Sequence, residues 1–175
     1  TPLGVDFVAY AQLKDAILDI GILPNRGDCM SLIGLAREIA AILGASLKEI
    51  KMPALVSSGV FPLNVSVEIP ELCPLYSARF ISGITAGLNS PLWMQRRLQL
   101  AGLRPLNLIV DVMNYVLLET GQPLQVADRR KISGEQLTVS DVKLGVVGRV
   151  DAAVTSETIE VVLESAVFDA VATRK

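Results

Sequence analysis

Hydrophobic positions recur along this chain at two spacings, one helical and one alternating, and together they predict helices interleaved with strands. Residues 32–43 place Leu32, Ile33, Leu35, Ala36, Ile39, Ala40 and Leu43 at helical intervals, with Arg37 and Glu38 off the stripe. This predicts a helix over about 30–43, packed on one side, with Asp28 or Ser31 as N-cap and Gly44 as its stop. Ser90 followed by Pro91 predicts a second helix start, an N-cap before a proline, for a helix that runs to about Ala101 and stops at Gly102. Asn107 caps a third helix that ends before Gly121. Its apolar residues between Leu108 and Leu118 point nearly all round, so it is expected to be central and buried.

The alternating segments read as strands. NVSVEI (64–69) sets Val65, Val67 and Ile69 against Ser66 and Glu68, and YSARFISGI (76–84) sets Ala78, Phe80 and Ser82 against Arg79, Ile81 and Gly83. QPLQVAD (122–128), EQLTVSD (135–141) and ETIEVVLESAVF (157–168) are strand-like as well. AILDIGIL (16–23) reads as a short strand that turns at PNRG into the first helix, and 45–64, punctuated by proline, serine and glycine, as a connection. The expected fold class is α+β: mixed or antiparallel sheets packed with three main helices in a single domain over residues 1–175.

Composition narrows the chemistry. The 175 residues include 16 basic and 18 acidic side chains, a formal net charge of -2. That is no global field for nucleic acid, so RNA contact would need a local patch. Histidine is absent, which removes Ser-His-Asp and Cys-His nucleophile schemes and every histidine-based metal site. Cys29 and Cys73 could pair but read better as buried free thiols in a reducing cytoplasm, and no metal site is expected. No uncharged apolar run is long enough to span a bilayer. The opening TPLGVDF lacks the features of a signal peptide and reads like a cut into something longer.

Several residues invite two readings each. Asp111 and Asn114, polar within an apolar helix, either tie neighbouring strands and loops to it or, for Asn114, contact a ligand. Glu164 interrupts an apolar strand; it is idle on a solvated face and a specificity carboxylate or base in a cleft. Arg96, Arg97 and Arg104, with Arg129, Arg130 and Lys131, form two basic clusters, either solvated faces or a surface for RNA backbone. Trp93 is expected to pack in the core rather than stack on a base. Gly145 and Gly148 are too sparse for a phosphate loop.

In combination, ILPNRGDCMSLIGLAREIAAIL (22–43), CPLYSARFISGI (73–84), SPLWMQRRLQLAGLRPLNLIVDVMNYVLLETGQP (90–123) and VVLESAVFD (161–169) resemble the B3/B4 module of the bacterial phenylalanyl-tRNA synthetase β subunit. The resemblance implies a cleft that hydrolyses tyrosine mischarged on phenylalanine tRNA, a second sieve for a hydroxyl that an apolar synthetic pocket rejects weakly. It implies tRNA(Phe) and an α subunit as partners in an α2β2 enzyme. ATP and Mg²⁺ would serve the parent complex, and no cofactor this segment. Carried over by position, Asn114, Gly148 and Glu164 become substrate-binding residues; Arg96, Arg97, Arg129, Arg130 and Lys131, from the two basic clusters, are the candidate RNA contacts. Gln125 stands where the family has a histidine implicated in editing, Met113 where a threonine is usual and Val147 where an alanine is, and the glycine-rich loop near Gly148 is shortened. The implied function is therefore editing by an eroded or incomplete site, the alternative being a non-catalytic structural and RNA-docking module.

Overall fold

The computed structural model describes residues 3–11, 13–48, 50, 59–85, 87–139 and 158–167. They belong to two compact units: a helical one from Thr1–Ile50 and Leu88–Pro123, and a sheet one from Lys51–Gly87 and Leu124–Lys175. Helices and sheets together make the α+β class that the patterning predicts.

The helical unit opens with a single turn, α1 (Phe7–Tyr10), capped by Asp6, whose carboxylate accepts from Val8 N. Residues 13–23 then have no regular structure, against the strand expected at 16–23. A lone strand is not stable without a partner ladder, and this unit holds no strand among its described residues; Ile17 and Leu18 are exposed. Helix α2 spans Leu32–Leu43, with Ser31 Oγ accepting from Gly34 N at 3.0 Å and Gly44 closing it at φ 62°. Ser31 is thus the cap, while Asp28 lies in a 3-10 turn over Gly27–Cys29. Gly34 is needed where it stands, because a Cβ there would meet the Asp28 carbonyl oxygen at 1.7 Å.

That turn is clamped to α2 by one guanidinium. Arg26 donates to both carboxylate oxygens of Asp28 and both of Glu38, and its Nη2 lies 3.2 Å from Cys29 Sγ. The hydrogen bond from Arg26 holds the Asp28 carboxyl down to about 2, and the same guanidinium lowers Glu38. Burial, with Asp28 adding to it, pushes the Cys29 thiol up. Cys29 and Cys73 are both free and buried, as expected.

Helix α3 spans Leu92–Leu100 and buries Met94 and Leu98. Ser90 does not cap it: no side chain does, and the Ser90 hydroxyl instead donates to Asp111 Oδ2 at 2.5 Å. Asp111 lies on α4 (Leu108–Thr120), which Asn107 caps through Val110 N and Gly121 ends at φ 78°. The other oxygen of Asp111 accepts from Leu106 N at 2.8 Å. Asp111 is therefore a tie between loops and helix. α4 is half-buried rather than central: it packs on α2 and α3 over part of its circumference, only Asp111 is fully buried, and Leu117 reaches solvent.

In the sheet unit, β1 (Asn64–Val67) pairs parallel with β4 (Gln136–Val139). A separate antiparallel sheet runs in the order β2 (Leu75–Thr85), β5 (Thr158–Val167), β3 (Gln125–Asp128). On β2, Tyr76, Ala78 and Phe80 are half-buried and Leu75, Ser77 and Arg79 exposed, as the alternation predicts. A bulge between Ile81 and Ile84, with Gly83 at φ 76°, then switches the phase, so Ser82 faces outward and Ile81 does not. On β1 the expected stripe fails as well: Val65 is exposed, Ser66 half-buried, and Ile69 lies past the strand's end. Leu63 and Leu137 form the core of this unit, with Phe61, Ala78, Phe80 and Ile132 against them.

Two outcomes follow from the helical unit. Gly34→Ala should lose roughly 1–3 kcal/mol in urea unfolding through its backbone clash, while Gly27→Ala, whose Cβ meets nothing within 4 Å, should not. The Arg26 clamp makes stability fall with acid. Carboxyls depressed in the folded state stabilise above their ordinary value, and that contribution disappears as pH drops through the folded one. Melting temperature should decline between pH 3.8 and about 2, and Arg26→Met should flatten that decline. An identical profile for the variant would show the clamp contributes nothing.

Candidate functional site

The sheet unit brings two of the expected site positions together. Glu164 lies on β5, the middle strand, opposite Ala78 of β2 on one side and Gln125 of β3 on the other. Directly opposed residues share a face, with Cβ atoms about 4.5–5.5 Å apart. The next row on that face is Phe80, Val162 and Ala127, and Phe80 and Ala78 pack on the Leu63–Leu137 core. A carboxylate-bearing position thus sits at the centre of a sheet row with a methyl on one flank and an exposed amide on the other. The row contains no cation. In sequence, the pairing of Gln125 with Glu164 left no signal, because it depends on the register of a long-range strand pair.

Of the remaining expected members, Asn114 belongs to the other unit and Gly148 is not among the described residues. Asn114 lies on α4 in the helical unit, one turn past Asp111 and half-buried, and no described residue hydrogen-bonds its side chain. Met113 precedes it. Gly148 and Val147 lie outside the described residues, and Glu164 belongs to the sheet unit.

The basic residues also divide between the units. In the helical unit, Arg96 is half-buried with its Nε unpartnered among the described residues, and Arg104 is exposed. Arg97 Nη1 donates to Tyr115 Oη at 2.6 Å, and its guanidinium lies 5.4 Å from the Trp93 ring centroid and 6.0 Å from that of Tyr115. Trp93 and Tyr115 meet edge to face at 5.6 Å. Against the expectation from sequence that it packs in the core, Trp93 is 43% exposed. The buried stripe of α3 is Met94 and Leu98, and residue 93 lies beside it. The spacing of Trp93 and Arg97, one helical turn, was the available clue to this cluster.

In the sheet unit, Arg129, Arg130 and Lys131 form a 3-10 turn after β3. Asp128, itself buried, accepts from Arg130 N, Nε and Nη2, and that guanidinium holds the Asp128 carboxyl below the usual range. Arg129 pairs with Glu135 at 3.3 Å and lies over Phe80 at 5.9 Å.

Donor atoms of Asp28, Cys29 and Glu38 come within 4.8 Å of one another, the densest set of potential metal ligands among the described residues. Arg26 donates to all three, so a cation there would have to displace a guanidinium already matched to both carboxylates. No helix among the described residues is long and apolar enough to cross a membrane.

Comparison with known proteins agrees with these motifs. Residues 72–144 match the B3/4 domain family. The phenylalanine–tRNA ligase β subunit of Geobacter sulfurreducens is 41% identical over 210 residues, which take in 99% of this chain and 26% of that protein. That of Geobacter metallireducens is 39% identical over 99% of the chain and 26% of its own length, and that of Nitrosospira multiformis 43% identical over 76% and 17%. An alignment of 210 residues exceeds the 175 of this chain, so the Geobacter protein carries positions with no counterpart here. The chain is thus similar along nearly its whole length to phenylalanine–tRNA ligase β subunits, matches the B3/4 domain family over residues 72–144, and spans about a quarter of the length of the curated relatives it matches.

Proposed function

We propose that this chain is the editing segment of a bacterial phenylalanyl-tRNA synthetase β subunit whose hydrolytic site has lost its proton-transfer group. Similarity to β subunits over nearly the whole chain supports the assignment. The observation that carries the loss is the opposition of Gln125 and Glu164 across β3 and β5. In this reading Glu164 recognises the phenolic hydroxyl of a mischarged tyrosine, while Asn114 and Gly148 are the positions that family resemblance alone gives to the ester. The position beside Glu164 would handle the proton of the attacking water. An imidazole exchanges that proton near neutral pH, whereas an amide can only hydrogen-bond. General acid–base assistance contributes about 10²–10⁴-fold, so turnover falls by that order. The partners are tRNA(Phe) and an α subunit in an α2β2 assembly of the cytoplasm. ATP and Mg²⁺ belong to synthesis in the parent complex, and this segment needs no cofactor.

The alternative of a non-catalytic RNA-docking module through Arg96, Arg97 and Arg129–Lys131 is less well supported, because Arg129 and Arg130 already pair with carboxylates. The test is deacylation of tyrosyl-tRNA(Phe) by the β subunit that carries this segment. Wild-type turnover should be weak, Gln125→His should raise it by up to about 10²-fold, and Glu164→Gln in that background should erase the preference for tyrosyl over phenylalanyl ester. Wild-type turnover at the full rate of a histidine-bearing relative would overturn the erosion reading. The register has its own check: Gln125→Glu, a like charge opposite Glu164, should lower stability by about 0.2–1 kcal/mol, and Gln125→Lys should not.

A further inference from the structure

The helical unit contains a second feature that the editing chemistry does not use. Residues 15–18 and 22, the start of α2 and one flank each of α3 and α4 line an open cleft of about 540 Å³. This is within the range of small-molecule sites, roughly 300–1,000 Å³. Its wall is mainly aliphatic, with Ile17, Leu18, Leu35, Leu100 and Leu118 contributing, and Arg97 and Tyr115 are also among its lining residues. Asp15 lines it too, with Oδ1 accepting from Ala16 N at 2.8 Å.

Arg97 is the informative member. Among the described residues it pairs with no carboxylate, unlike Arg26, Arg129 and Arg130. Its bond to Tyr115 Oη and the flanking rings of Trp93 and Tyr115 hold the guanidinium, whose other N–H donors have no hydrogen-bond partner among the described residues. A guanidinium held in this way, beside apolar walls, is preorganised for a planar anion with a hydrophobic body. We propose that this cleft binds a small amphipathic carboxylate, its apolar part among Leu35, Leu100 and Leu118 and its carboxylate on Arg97.

Trp93 is the only tryptophan of the chain and touches Arg97, so its emission reports on the site. The probes are 4-phenylbutyrate and the neutral 4-phenylbutanol, titrated into the purified protein and followed by Trp93 fluorescence and by calorimetry. Saturable binding of the acid, at least about tenfold tighter than the alcohol, is expected, a difference of about 1.4 kcal/mol. Arg97→Gln should abolish that preference while leaving the alcohol's affinity in place, Arg97→Lys should retain part of it, and Leu100→Phe should weaken both probes by filling the cleft. Circular dichroism confirms that each variant is folded. Equal affinity for acid and alcohol, indifference to Leu100→Phe, or displacement of the acid by tRNA or inorganic phosphate at comparable concentration would each overturn the proposal, the last by assigning Arg97 to nucleic-acid backbone.

Discussion

The helical unit depends on one buried carboxylate. Asp111 is 1% exposed, and its two oxygens are taken by the Ser90 hydroxyl and the Leu106 amide. Those partners lie just before α3 and just before α4, so a single side chain fixes both helix entries against the body of α4. Leaving either donor unpaired would cost about 1–3 kcal/mol. A backbone bond from Leu108 N to the Leu88 carbonyl lies alongside and joins the same two segments. The site positions on α3 and α4, Arg97 and Asn114 among them, take their places from this arrangement. In the sheet unit the equivalent constraint is β5, the middle strand, without which β2 and β3 have no ladder in common.

Local chemistry was legible where it is local in space as well as sequence. Ser31 and Asn107 cap their helices, and Gly44 and Gly121 end them with positive φ, because capping involves groups three or four residues apart. Ser90 shows where that logic stops. Its sequence context is that of a cap, yet a buried carboxylate on α4 is a stronger acceptor for its hydroxyl than any orphan group near it is a donor. The 16–23 run and Trp93 failed for a related reason. Apolar character says that a residue can be buried, not that its unit supplies a surface to cover it, and both remain open to solvent.

The candidate site was legible as residue types and not as an arrangement. Glu164 stood out as a charge inside an apolar strand, and Gln125 only through family resemblance. Their opposition follows from how β3 and β5 are registered, and a shift of one residue would have put them on opposite faces. The Arg26 clamp was invisible for the same cause: Glu38 is a turn and a half along α2, and nothing near Arg26 announces it.

The arginines separate by the company they keep. Arg26 and Arg130 each meet carboxylates in forked geometry, which both satisfies the guanidinium and lowers the acid's affinity for protons; such residues hold the fold together. Arg97 meets a phenol and two ring faces instead, none of which neutralises it. Orienting a long cationic side chain without compensating its charge costs conformational entropy, and aromatic contacts return only part of it. An arginine held in that state is ordered for an anion supplied from outside the unit, whereas one locked to Asp128 is already answered within it. Charge compensation, more than exposure or proximity in sequence, therefore distinguishes the arginines that build this protein from an arginine such as Arg97, positioned to receive something else.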